Sequence, residues 1–328
     1  MRILSRADVQ QAITMRESIE VMKDAFTRLS NNQANVPLRS QLPIPAYNGV
    51  ALFMPAYVHG TEALAIKIVN VYNDNPKNGL PLIHAVVVVL EATTGRALAL
   101  LEGGSVTALR TGAGCGAATD FLARRDARVG LVFGAGVQAR TQLRAMCAVR
   151  SLERVYVYDA VPGKAQEMVN DLRGNPELPS DLRAADDVAS AVRQADIISC
   201  ATTSKTPLFD GNDVQAGAHV NAIGSFTHDA RETDSNLIRR CNKIVVDAYS
   251  GALAEAGDLL IPMEEGVISE SSIYAELGEI SGGKKEGRTR ADEITFFKSV
   301  GNAVQDAAIA QAILKRAEEM NLGTNVEL

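Results

Sequence analysis

Two groups of residues in this chain have the types and spacing to do chemistry. The first is the glycine pair in ARVGLVFGAGVQA, Ala127 to Ala139, which reads G-x-G-x-x-A after a short apolar run. A tight turn from a buried strand into a helix points the first helical N–H groups and the helix dipole outward, which suits a pyrophosphate without any basic side chain. Gly134 is expected to make the turn, Gly136 to admit the phosphates, Val137 and Gln138 to offer the first N–H groups, and Ala139 to keep helix and sheet close. The next apolar run, RVYVYD, ends at Asp159, 25 residues beyond Gly134. That is slightly past the ~20 usual for the acid that accepts ribose hydroxyls. A carboxylate there repels a 2′-phosphate, and no arginine follows it directly, so NAD(H) is favoured over NADP(H). The chemistry implied is hydride transfer.

The second group is a set of long cations: Arg39 in VPLRSQL, Lys67 inside the apolar run ALAIKIVNVY, and Arg110 in TALRTGAG. Each one taken alone has two readings. It snorkels or pairs with a carboxylate, or it faces a ligand.

The elements that must carry these residues change character along the chain. Thr14 and Glu17 form a T-x-x-E capping box ahead of Ile19, Met22, Ala25, Phe26 and Leu29 at helical spacing. Three strand-like runs follow, VALFMPA, ALAIKIVNVY and LIHAVVVVLEA, without helices between them, which predicts a mixed or antiparallel sheet. A small-residue helix is expected from Ser105 to Leu122. From Arg128 onward, VGLVF, RVYVY, DIISCAT, AHVNAIG and NKIVVD alternate with amphipathic segments, the pattern of a parallel sheet covered on both faces. The last helix, Asn302 to Met320, is expected to return to the N-terminal part with no strand after it. The fold class is therefore α/β: a doubly wound parallel sheet beside a second, α+β unit, with the change of pattern near 120/121 and again near 301/302.

Composition narrows the function classes. The chain has 328 residues, 46% hydrophobic and 22% charged, with a formal net charge of −6, so it lacks the basic stripe of a nucleic-acid binder. Its one basic cluster, GGKKEGRTR (Gly282 to Arg290), reads as a solvated loop. Four well-separated cysteines without a C-x-x-C pair, no apolar signal core and no long apolar run predict a cytoplasmic protein with no membrane partner. His59, His84, His219 and His228 have no partner at metal-ligand spacing, so no metal is expected.

ALFMPAY, IKIVNVYNDNPKNGLP, TALRTGAG, VFGAGVQA, NAIGS, GEISGGKKEGRT and EITFFKSVGNAVQD occur in this order. On these motifs the chain resembles the ornithine cyclodeaminase/mu-crystallin family from its first helix to its last. The resemblance implies an amino- or imino-acid substrate, a reaction at its Cα–N bond, and a homodimer in which a Rossmann-type dinucleotide domain, 121–301, is inserted into a substrate-binding and dimerisation domain, 1–120 with 302–328. It also implies that Arg39, Lys67 and Arg110 hold the substrate carboxylate beside the nicotinamide. Paired arginine forks suit a carboxylate, and a lysine among cations releases its proton more readily than in water, which fits it to relay one. The same carry-over places Thr111, Thr202, Gly224 and Ser299 near the cofactor, and Leu52, His84 and Phe226 along the substrate pocket.

Two departures select among the family's reactions. Ornithine cyclodeaminases carry an acid in the strand before MP and another after the N-A-[IV]-G-x turn, where this chain has Leu52 or Phe53 and then Phe226. Ornithine cyclodeaminase and alanine dehydrogenase chemistry both need a carboxylate that handles an amine, and apolar side chains do not. The expectation is therefore a ketimine reductase acting on Δ1-pyrroline-2-carboxylate or Δ1-piperideine-2-carboxylate, with Phe226 against the ring. The alternatives are a cyclodeaminase in which His228 or Asp229 restores the acid, an alanine dehydrogenase, or a mu-crystallin-like binding protein. Family reductases often take NADPH, but the charge of Asp159 still argues for NADH.

Overall fold

Thr14 caps the second helix, Met15–Ser30: its side chain accepts the Glu17 N–H, and the Glu17 carboxylate reaches back to the Thr14 backbone. Ile19, Met22, Ala25 and Phe26 then fall on its buried face. In the computed structural model, which describes residues 1–327, this helix belongs to the first of two units. That unit comprises Met1–Arg110 and Asn302–Leu328, and the second comprises Thr111–Gly301. The boundary lies earlier than the expected 120/121, inside the helix Gly103–Leu122.

The first unit is built on an eight-stranded sheet. Its order runs Thr324–Asn325, Arg2–Leu4, Ala97–Glu102, Ile83–Glu91, Ala63–Tyr72 and Gly49–Val58, with Ala34–Asn35 and Ser40–Ile44 both paired to the last. Only Arg2–Leu4 and Ala97–Glu102 run parallel, so the sheet is mixed. The pleat sends Leu52, Met54, Ala65, Lys67, Val69 and Val87 to one buried face. The long helix Ala303–Glu319 packs on that face, as its apolar stripe requires. The chain then ends in a short strand, Thr324–Asn325, which the sequence did not predict. That strand has two residues and no apolar pattern, so only its pairing with Arg2–Leu4 defines it.

The second unit has an eight-stranded, all-parallel sheet. The order is Asp181–Ala184, Arg154–Tyr158, Val129–Phe133, Ile197–Cys200, His219–Ala222, Thr295–Lys298, Lys243–Val246 and Ile273–Glu276. Leu131 and Phe133 pack into one apolar cluster, and Val132 between them packs into another, so helices cover both faces. That double burial is why these strands read as continuous apolar runs. The order reverses beside Val129–Phe133, the topological switch point of a Rossmann-type sheet.

The Gly282–Arg290 segment is more than a solvated loop. Arg288 turns inward and donates to the carbonyl oxygens of Leu122 (2.6 Å) and Ala218 (3.1 Å), tying the loop to the unit. Among the described residues no helix is long and apolar enough to cross a membrane.

Candidate active site

In the first unit the register decides which side chains meet. Met54 and Val87 flank Lys67 on the neighbouring strands, so all three point toward the helix Ala303–Glu319. Asn302 caps this helix by accepting the Val304 N–H at 3.2 Å, and Gln305 completes the capping box. That start presents Gln305 and Asp306 in the first turn, where the helix dipole favours an acid. Lys67 Nζ donates to Asp306 Oδ2 at 2.6 Å, and Arg110 Nε donates to Asp306 Oδ1 at 3.2 Å. Arg110 Nη1 also donates to Gln305 Oε1 at 2.9 Å. One buried carboxylate thus holds two of the three predicted cations.

The third cation is close enough to act electrostatically. Burial draws Lys67 down from 10.5 to about 8; Asp306 opposes this, while the charges of Arg110 and Arg39 lower it further. Lys67 is 2% exposed and Arg110 7% exposed, so the snorkelling reading fails for both. The carboxylate-pairing reading holds for both, and Arg110 keeps donors to spare: among the described residues, two of its five N–H groups have a protein partner. Asp306 was missed in the sequence, although the QD of GNAVQD carried it.

The register also separates the proposed pocket residues. Leu52 lies on the same sheet face as Lys67 and is buried, whereas Phe53 points to the opposite face. His84 pairs with Asn70, which puts it on the far face, exposed, so the sheet does not bring it to the Lys67 cluster.

In the second unit the glycine loop follows Val129–Phe133 directly. Gly134 has φ +98°, and a Cβ there would stand 2.6 Å from the Ala201 carbonyl oxygen, so both conformation and space demand glycine. Gly136 caps the helix Val137–Val149 without any side-chain cap, and a Cβ there would meet nothing within 4 Å. Gly136 and Val137 are exposed at the start of the helix and Gln138 is half-buried, while Ala139 is fully buried against the sheet. Asp159 Oδ2 accepts the Ala135 N–H at 2.8 Å and Oδ1 accepts the Val161 N–H at 2.8 Å. The acid is fixed at the loop, with one lone pair on each oxygen left for a ligand. These residues fit a dinucleotide.

The ends of the two next strands carry Thr202 and Gly224, and both are held by Glu232, which the sequence reading passed over. Glu232 is fully buried; burial and the neighbouring Asp258 raise its carboxyl above the usual range. Asp258 in turn takes Lys298 Nζ at 2.7 Å. Ser299 donates to Asp247 at 2.7 Å beside the start of the last loop. Thr111 begins this unit and is buried. Phe226 is 43% exposed, so it is not a core residue. His228 pairs with Glu264 at 3.0 Å and Asp229 with Lys205 at 3.0 Å, both on the surface.

A solved Δ1-pyrroline-2-carboxylate reductase from Thermococcus litoralis, in complex with NADH and L-proline, is 44% identical, with a TM-score of 0.95 over 99% of this chain and 100% of its own. A Bacillus cereus Δ1-pyrroline-2-carboxylate reductase is 37% identical over 327 residues, covering 100% of both chains. An archaeal alanine dehydrogenase dimer with bound NAD is 30% identical, with a TM-score of 0.91 over 100% of this chain and 99% of its own. The model of the ornithine cyclodeaminase/mu-crystallin family matches residues 1–321, and the chain belongs to that family.

Proposed function

We propose that this enzyme reduces the C=N bond of a cyclic imino acid with NADH, converting Δ1-pyrroline-2-carboxylate or Δ1-piperideine-2-carboxylate to L-proline or L-pipecolate. The observation that carries the reading is the buried Lys67–Asp306–Arg110 cluster, with an apolar Leu52 sharing its sheet face. The reductase relatives support it, one of them solved with NADH and L-proline. When bound, the reduced nicotinamide supplies the hydride to the imine carbon. Arg110, with unspent N–H donors, and Arg39 grip the substrate carboxylate as forks. Lys67, charged at neutral pH and close to its own pKa, delivers the proton to the imine nitrogen. Asp306 keeps that ammonium in place.

The family's amine-handling reactions need an acid that this chain lacks at the matching positions. Asp229 and His228 are spent in surface pairs with Lys205 and Glu264. We further infer an NADH preference from the Asp159 carboxylate, and a homodimer. The outward face of the first unit's sheet carries Phe53, Ile66, Ile68, Val86 and Val88, half-buried or exposed in the single chain. Such an apolar face suits a second copy, and the related archaeal alanine dehydrogenase is a dimer.

The test is an assay panel following NADH and NADPH oxidation with both cyclic imines and with pyruvate plus ammonia. Rapid turnover of the cyclic imines alone is expected. Turnover of pyruvate plus ammonia at a similar rate defeats the reading.

A further inference from the structure

In the second unit, the loops leaving Ile197–Cys200 and His219–Ala222 are both bound to a single carboxylate. Glu232 Oε1 accepts the Thr202 N–H at 2.7 Å and the Thr202 hydroxyl at 2.8 Å, and Oε2 accepts the Gly224 N–H at 2.7 Å. A Cβ on Gly224 would stand 2.1 Å from the Thr202 carbonyl oxygen and 2.5 Å from Glu232 Oε1. The strand ends therefore approach as closely as bare backbone allows. Glu232 is itself anchored: its N–H donates to Asp258 Oδ1 at 2.8 Å, as does that of Thr233 at 2.9 Å. Lys298, fully buried, closes the network on Asp258 Oδ2 and on the Ser225 carbonyl, both at 2.7 Å.

Burying a carboxylate this deeply is a poor way to gain stability alone, since a well-packed apolar residue often does as well or better. What the carboxylate does supply is direction. Three donors converge on two oxygens, which fixes both loop backbones to one rigid point. In a doubly wound sheet the ligand lies outside the carboxyl ends of the strands at the switch point. The glycine loop and Asp159 serve the adenosine and pyrophosphate there. Thr202 and Gly224, on the next two strands, border the remaining half.

We propose that Glu232 is a positioning residue for the nicotinamide half of the dinucleotide, acting through the backbone of Thr202 and Gly224. The adenosine half is held independently at the glycine loop. This rests on the NADH reading above. A glutamine at 232 offers an amide in place of one oxygen, so one of the converging donors meets another donor.

The experiment measures NADH and ADP-ribose binding by calorimetry on the wild type and on Glu232→Gln. NADH is expected to weaken at least ~10-fold, the scale of one lost charge-assisted hydrogen bond, with ADP-ribose affinity within ~2-fold of wild type. Parallel loss of both ligands, or loss of neither, overturns the proposal. Should Glu232→Gln not fold, Thr202→Val removes one donor at constant volume. A selective weakening of NADH of ~3-fold or more then supports the proposal, and an unselective change or none overturns it. A wild type that binds ADP-ribose but gains nothing from the nicotinamide half fails the functional reading itself, and this proposal with it.

Discussion

Lys67 and Asp306 lie 239 residues apart in the chain, yet Nζ and Oδ2 are 2.6 Å apart, with both side chains buried. To serve as the proposed proton donor, Lys67 must be charged. Its pKa is lowered to about 8, so reduction should be full at lower pH and decline as pH rises through about 8. Asp306 opposes that lowering, so Asp306→Asn should move the alkaline limb to more acid pH. The variant also strands a buried ammonium, at about 3–5 kcal/mol of stability. A pH profile of kcat/KM at saturating NADH checks the sign, and an unmoved limb removes Asp306 from the proton chemistry.

Arg110 and Lys67 should fail differently. Arg110→Ala is expected to weaken substrate capture by ~2–4 kcal/mol while NADH binding survives. Lys67→Met should lower kcat by ~10²–10⁴-fold, because a proton relay acts in the transition state. Steady-state kinetics with direct NADH titration separate the two, and near-normal turnover in Lys67→Met takes that residue out of the mechanism.

Asp159 should make NADH at least ~10-fold more efficient than NADPH, since excluding a like charge is worth ~1.4 kcal/mol or more. Asp159→Ser should erase most of that preference. It should also weaken NADH, because the Ala135 N–H loses its carboxylate partner. Equal use of both cofactors by the wild type would contradict the electrostatic argument.

L-Ornithine should release little or no ammonia. Phe226→Asp should not change that, because Leu52 still offers no acid on the sheet face of Lys67. It should slow imine reduction if Phe226 packs on the substrate ring as proposed, since a charge then replaces an apolar contact. Robust formation of L-proline and ammonia by the wild type would make Asp229 and His228 the next residues to mutate.

The outward sheet face should hold two chains together. Ile68→Asp places a charge in its centre and is expected to shift the dimer toward monomer, read by sedimentation at several concentrations. A monomeric wild type would leave the face without its proposed occupant.

Much of this protein was written in local pattern. The T-x-x-E box, the three strand runs and the G-x-G-x-x-A turn each depend on neighbours within a few residues, so their elements were legible from spacing alone. Asp181–Ala184 was not, because an edge strand of DLRA is half polar and has no apolar period. The run TFFK was seen only as a lead into the last helix, and its central place in the parallel sheet depends on strand order. Local sequence carries the cations, glycines and acids and the family motifs they belong to. Which of them meet depends on how the strands and helices pack. The pleat turned His84 away from Lys67, and the helix cap at Asn302 delivered Asp306 to it. Burial made Glu232 the shared anchor of two loops. Long-range pairings of this kind follow from register and packing, in which every strand and helix constrains the others, and no window of sequence contains them.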